Sequence, residues 1–430
     1  MKRKLIDELI KWKSMNNGKP ILLTGMKGVG KTYLAYDFAK AFFEHICYIN
    51  FEREPVASKL LEAQNPDLIM AQLLEHFHIN PEVPMGSIVL ILDEIGRSKE
   101  ALYFLELQSQ KPMFPYVLAI SSSQIDDKFS NITKGLTVYP LDFDEFLRAT
   151  SNEWYIESIL THFHNNCKIP DIVHQELLAL HQLYLQIGGM PGIINEYLNL
   201  SSTVNVADQH AFLIGSYHDY IQKDYTDSDA LKMNQVFDSL VFQLMKENKK
   251  FQYKLIRKGT THSMYKEAIH KLSDLNYLIK CNRISNEELD HPVDAFSYDN
   301  VQNAIDNTNF KLYMPDTGLL HTNLVKEQGS TLNKLCQKAL IENYVAQSLR
   351  AKNLPFGFWE SESMAKLDFI FLKEDNLYPI EIFFGDHTRS KTISIIKQKC
   401  EFPYALKISS KNFDFSNQIK YVPYYAIFCL

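Results

Sequence analysis

No cysteine pair of the metal-binding kind, no long apolar run and no excess of positive charge occurs in this chain, and each lack removes a class of protein. Its six cysteines, Cys47, Cys167, Cys281, Cys336, Cys400 and Cys429, are scattered without a Cys-x-x-Cys pair. That pattern argues against a zinc site or a disulfide scaffold and fits reduced thiols in a cytoplasm, the expected location. Nowhere does an apolar run approach the ~20 residues a bilayer span requires, so a soluble chain with no membrane partner is expected. The basic start, Met1-Lys-Arg-Lys, lacks the apolar stretch of a secretory signal. Acidic residues outnumber basic ones by 51 to 45, a net charge of -6. A coat of cations for nucleic acid is therefore not expected, although a local basic patch remains open. Glycine and proline are scarce, 16 of each, which excludes collagen-like and low-complexity chains. With 430 residues, 46% of them apolar, about two to four packed domains are expected.

What is present begins at residue 20. An apolar strand leads into Gly25-x-x-x-x-Gly30-Lys31-Thr32, and a helical run follows. In such a loop the glycines let backbone N–H groups turn inward around phosphate oxygens. The lysine reaches the β- and γ-phosphates, and the threonine hydroxyl ligates Mg²⁺. The helix over 33–43 aims its positive end at the same phosphates. The expected ATP-binding set is Gly25, Lys27, Gly28, Gly30, Lys31, Thr32 and Tyr33, with Lys31 also catalytic. Further apolar strands are expected at 46–51, 87–92, 116–120 and 136–139, with helices over 5–13, 60–77 and 99–109. Apolar strands alternating with helices indicate a parallel sheet covered on both faces. The third strand ends in Asp93-Glu94. Asp93 is expected to hold the Mg²⁺ shell and Glu94 to orient the attacking water. The fourth runs into Ser121-Ser-Ser123, where Ser121 is a candidate for the γ-phosphate or the water and equally a helix cap.

From about residue 144 to 225 the pattern is helical, broken at Gly188-Gly189-Met-Pro191-Gly. Residues 234–284 read as helix, short helix, helix and strand, the order of a winged helix-turn-helix. Residues 285–309 are polar and irregular, and a last α/β unit follows residue 329.

These motifs together resemble the prokaryotic AAA-type (AAA+) ATPases that carry a C-terminal domain of uncharacterised function. The resemblance rests on Tyr48-Ile-Asn-Phe51, Leu92-Asp-Glu-Ile95, Ile120-Ser-Ser-Ser123 and Tyr139-Pro-Leu-Asp-Phe-Asp-Glu-Phe146. It continues with Gly188-Gly-Met-Pro191, Asn248-Lys-Lys-Phe-Gln-Tyr253, Leu312-Tyr-Met-Pro-Asp-Thr-Gly-Leu319 and Glu342-Asn-Tyr-Val345. It implies an α/β fold: a P-loop ATPase core (1–148), a helical lid (149–228), a winged helix (229–285), a connecting segment (286–329) and a restriction-endonuclease-like α/β domain (330–430). One departure stands out. Family members carry Gly-Arg before the Pro-Leu segment, where this chain has Gly135-Leu136. An arginine that neutralises transition-state charge contributes about 10³ or more in rate. Lys134 beside it lacks the bidentate fork, so ATP binding is a firmer expectation than fast hydrolysis.

In the last domain, Glu342, Asp368 and Glu381 resemble the acidic set of PD-(D/E)xK nucleases, in which carboxylates on adjacent strands hold Mg²⁺. The lysine expected two residues beyond Glu381 is Phe383, and Lys366, on the Asp368 strand face, is the candidate replacement. This domain is expected to be inactive. Lys246, Lys249, Lys250, Lys254, Arg257, Lys258, Lys266, Lys271, Lys280 and Arg283 make the winged-helix region locally basic. DNA is one expected partner there; packing on the lid or on a neighbouring subunit is the other. A second copy or a partner protein is also expected, because AAA-type rings complete a site with a neighbour's arginine. The reading is an ATP-binding, ATP-hydrolysing protein whose nucleotide state moves lid and winged helix. A nucleic-acid-binding switch with little turnover and an ATP-gated DNA nuclease are the alternatives.

Overall fold

Five short apolar segments, β1 (Ile21–Thr24), β2 (His45–Asn50), β3 (Ile88–Asp93), β4 (Val117–Ile120) and β5 (Lys134–Thr137), pair side by side in a computed structural model of the chain. All pairings are parallel, in the order β2-β3-β4-β1-β5. Every residue of β3 and β4 is buried, as a sheet with helices on both faces requires. The described residues are 1–15, 19–62, 65–200, 205–290, 293, 296, 309–361, 365–384 and 391–430. They form two compact units, Met1–Tyr139 and Pro140–Leu430.

Two expectations for the first unit are corrected. The helix expected over 60–77 is a 3-10 turn, Pro55–Leu61, followed by a helix, Pro66–His76. Pro66 fits only a first helical turn, and the Asn65 side chain caps it by accepting the Asp67 N–H at 3.0 Å. The last strand starts at Lys134 rather than at residue 136. As an edge strand it tolerates a lysine and a glycine that a central strand would not.

The second unit opens with helices Phe143–Ala149, Trp154–Asn165, Asp171–Ile187, Pro191–Leu200, Val206–Asp224 and Asp227–Leu244. A 3-10 turn (Tyr253–Leu255) and helix His262–Asp274 then lead into β6 (Ile279–Ile284). The irregular stretch expected over 285–309 lies mostly outside the described residues, and its start is a short helix, Asn286–Asp290. Next come β7 (Phe310–Tyr313), helices Thr317–Gln328 and Lys334–Ala351, β8 (Phe356–Glu360), β9 (Lys366–Lys373) and β10 (Asn376–Ile382). Helix Thr392–Ile396, β11 (Ala405–Ser409), β12 (Asp414–Ser416) and β13 (Ile419–Pro423) close the unit. All eight strands share one mixed sheet, β12-β13-β11-β10-β9-β8-β6-β7. The strand expected to be a wing thus runs parallel to β8.

Three glycine positions fix a junction inside this unit. A Cβ on Gly189 would lie 2.1 Å from the Leu141 carbonyl oxygen, and one on Gly318 would lie 2.6 Å from that of Ile187. Gly188, at φ 76°, faces Asp316. The fully buried Asp316 carboxylate accepts the N–H groups of Gly189 (2.6 Å), Gly318 (2.9 Å) and Leu319 (3.2 Å). Burial pushes its pKa up to about 6 against those donors. Asn343 exchanges both its amide groups with the Met314 backbone, and Gln347 accepts the Thr317 N–H.

Candidate nucleotide site

The phosphate loop leaves β1 at its C-terminal end. Gly25, Gly28 and Gly30 all have positive φ (134°, 89° and 91°), and a Cβ on Gly25 would sit 2.3 Å from the Val138 carbonyl oxygen. Only glycine fits there. Lys31 opens helix Lys31–Phe42 and turns back into the loop, donating to the carbonyls of Gly25 (2.7 Å) and Met26 (3.1 Å). Burial lowers its pKa to about 8, opposed by Glu94 and Asp93.

Asp93 ends β3, and one of its oxygens collects three donors. Oδ2 accepts the hydroxyls of Thr32 (2.8 Å) and Tyr48 (2.8 Å) and the amide of Asn50 (3.1 Å). Oδ1 is buried with no hydrogen-bond partner among the described residues. An orphaned carboxylate oxygen beside a threonine hydroxyl fits a hard divalent cation. Thr32 and Asp93 are therefore suited to Mg²⁺.

Glu94, at φ 54°, turns away from the strand. Its Oε1 accepts the Ser122 hydroxyl at 2.6 Å, and its Oε2 accepts the Ser122 N–H at 3.1 Å. Ser121, the candidate for the γ-phosphate or the water, donates its hydroxyl to the Ser123 carbonyl at 2.9 Å. The middle serine of the three, just past the end of β4, is the one that meets the acid. Lys27 is held by Glu52 at 3.0 Å, and Arg97 lies 4.0 Å from the other oxygen of that glutamate. Tyr33 is exposed, and its hydroxyl accepts from the Met1 amino group at 2.9 Å.

Sequence reasoning missed two further parts. Tyr48 and Asn50 were visible only as motif letters at the end of β2. Arg3, buried, donates to the Val29 carbonyl inside the loop (2.9 Å) and to the Tyr139 carbonyl (2.6 Å). A lone arginine in a basic start carries no signal of that contact. Lys134 does not stand in for the absent arginine. It pairs in register with Ile21, ~10 Å along β1 from Thr24, and binds Glu8 at 3.1 Å.

The acids of the second unit do not converge as a metal site. Among the described residues, no group of three or more His, Cys, Asp or Glu side chains could hold a metal ion. Glu342 accepts from the Lys249 ammonium at 3.0 Å, and Lys338 lies 3.6 Å from both Glu342 and Asp368. Glu381, on β10, is in register with Lys407 of β11. Lys407 lies 5.3 Å over the Phe383 ring, whereas Lys366 is exposed and faces Glu360 at 3.9 Å. The basic stretch is also partly spent. Lys249 is buried, Lys250 pairs with Glu360, and Lys271 pairs with Asp229.

Strand order, loop and acid pair define the first unit as a P-loop ATP-binding domain of the α/β class. Residues 17–147 match the AAA domain family. Residues 179–329 and 337–427 each match a domain of unknown function (DUF8612 and DUF4143). No curated protein matches the chain. Among solved structures it is similar to the Walker-type ATPase of Pyrococcus abyssi, at 13% identity over 75% of this chain and 95% of that one, with a TM-score of 0.43. It is also similar to a signal-transduction ATPase with numerous domains and a tetratricopeptide-repeat sensor from Pyrococcus horikoshii. That match has 14% identity over 82% of this chain and 45% of the other, with a TM-score of 0.27. Among the described residues no single helix is long and apolar enough to cross a membrane.

Proposed function

We propose that the protein binds and hydrolyses ATP, and that the nucleotide state of the loop is passed to the second unit. The observation that carries the reading is the orphaned Asp93 Oδ1 beside Thr32, with Glu94 next in the chain. On binding, the Lys31 ammonium exchanges the carbonyls of Gly25 and Met26 for phosphate oxygens. The backbone N–H groups of the loop hold the remaining charge. Bound at Thr32 and Asp93, Mg²⁺ supplies charge neutralisation on the β- and γ-phosphates. Glu94, once released from Ser122, orients a water and takes its proton as the oxygen bonds to the γ-phosphorus. The bond to the bridging oxygen breaks, and ADP and phosphate leave.

Transmission is supported by Arg3, which ties the loop at Val29 to the end of the unit at Tyr139. Gly25 packs against Val138 in the same way. A loop that changes shape around phosphate thus pulls on residues 138–139. Helix, turn, helix and strand over 227–284 support reading that segment as a winged helix, and exposed Lys254, Arg257 and Lys258 leave it a small basic face. Three spent lysines make DNA the weaker reading of its use. The test is steady phosphate release from Mg-ATP. Release is expected in the wild type, with loss of ATP binding in Lys31→Ala and retained binding without release in Glu94→Gln. Tight binding with no wild-type release, with or without DNA, would leave a nucleotide switch instead.

A further inference from the structure

We propose that the Lys338 ammonium is a built-in counter-ion, occupying the position between Glu342 and Asp368 that a divalent cation would take. It rests on this face of the second unit alone and not on the ATPase reading. Lys338 lies 3.6 Å from Glu342 Oε1 and 3.6 Å from Asp368 Oδ1, so one ammonium bridges both carboxylates. Each carboxylate also has a second partner. Lys249 donates to Glu342 Oε1 at 3.0 Å, and Asp368 Oδ2 accepts the Ile382 N–H at 2.7 Å. Two carboxylates thus face two ammonium groups, and a third, Lys311, also acts on both, so their negative charge is compensated before any metal arrives.

Electrostatics divide the pair: burial and the Glu342 charge raise the Asp368 carboxyl, against Lys338 and Lys311. Burial pushes the Glu342 carboxyl up, but Lys249, Lys311 and Lys338 outweigh it and hold the pKa below the usual range. Lys338 is held above its usual value by Asp368 and, against burial, by Glu342. A divalent ion entering this charge-compensated cluster would gain little and would have to displace an ammonium. The position is nonetheless open to water, because Lys338 is 37% exposed. Emptied of its lysine, it would leave a buried and a part-buried acid short of positive charge, which is costly.

The test uses the full chain without nucleotide, melted with and without millimolar Mn²⁺. Any wild-type response of the midpoint to Mn²⁺ is expected to come from Thr32 and Asp93 and to be unchanged in Asp368→Asn. Lys338→Met keeps the bulk and removes the charge, and should lower the midpoint by roughly 5 °C or more. Mn²⁺ should then restore at least half of the loss. That restoration should vanish in Lys338→Met/Asp368→Asn, which separates this position from Thr32 and Asp93. A wild-type response to Mn²⁺ that Asp368→Asn removes overturns the proposal, and so does a folded Lys338→Met that ignores Mn²⁺. Should Lys338→Met not fold, Lys338→Gln keeps a donor and is read by the same outcomes. Electron paramagnetic resonance of Mn²⁺ added to the wild type is the direct check, with no Asp368-dependent binding expected.

Discussion

At the scale of single residues, the two acids that close β3 are held in opposite ways. Asp93 has one oxygen saturated and the other without a partner, a state that invites a cation. Glu94 has both oxygens bound to Ser122, a state that keeps the base from a water. Ser122→Ala removes the hydroxyl bond and leaves the N–H bond. Losing one such bond shifts the released fraction of Glu94 by about fivefold, so basal phosphate release should rise by that order. A fall would show that the serine orients the base rather than restrains it. Asp93→Asn should leave ATP binding without Mg²⁺ nearly intact and abolish its strengthening by Mg²⁺, as read by titration at both conditions. The acids themselves were legible, because an apolar strand ending in Asp-Glu downstream of a phosphate loop has few other uses. Their partners were not. Ser121, Ser122 and Ser123 are identical letters, and only the direction of each side chain tells them apart.

Among elements, the clearest device is the junction where Gly188-Gly189 meets Asp316 and Gly318. The sequence showed these as two distant motifs, Gly188-Gly-Met-Pro191 and Met314-Pro-Asp-Thr-Gly318, and no periodicity connects them. Packing does, since each glycine lies where a backbone carbonyl or the Asp316 carboxylate leaves no room for a methyl. Gly189→Ala should therefore destabilise the second unit by about 2–4 kcal/mol, seen as a lower denaturation midpoint. Gly192, in helix Pro191–Leu200, has nothing within 4 Å of its missing Cβ. Gly192→Ala should be neutral or stabilising by up to about 1 kcal/mol. Equal losses in the two variants would remove the packing argument. The five parallel strands of the first unit were readable because a strand buried on both faces is apolar throughout. The eight-stranded sheet was not. β6 reads equally well as a wing, and what it pairs with, β8, is set by contacts distant in sequence. Glu342, on helix Lys334–Ala351, and Asp368, on β9, were readable as acids, but the lysines that act on them come from three separate segments.

For the molecule as a whole, the second unit carries buried groups that make its stability depend on pH in a definite direction. His181 is enclosed by the rings of Phe143, Tyr184, Tyr344 and Tyr424, and burial lowers its pKa to about 3. His210 lies between the Ile187 carbonyl and the Thr322 hydroxyl, near His321, and burial lowers it to about 4. Below the ordinary value of 6.5 the unfolded chain takes up protons that these sites refuse. Their stabilisation is therefore complete above pH 6.5 and is lost as pH falls toward the folded values. Burial lowers His174 and His321 as well, whereas Asp238 raises His218, which opposes. Asp316, raised to about 6, also opposes, since its share is lost as pH rises from 3.8 through 6. Between pH 6.5 and 5, His181 and His210 cost on the order of 2 kcal/mol each, while Asp316 returns about 1. Acid should win. Melting at pH 7.5 and at pH 5 should show the second unit's midpoint falling by roughly 5–10 °C. His181→Phe keeps a ring in the aromatic enclosure and binds no proton, so it should remove about half of that fall. If the acid loss is the same in His181→Phe as in the wild type, the buried imidazole is not its source.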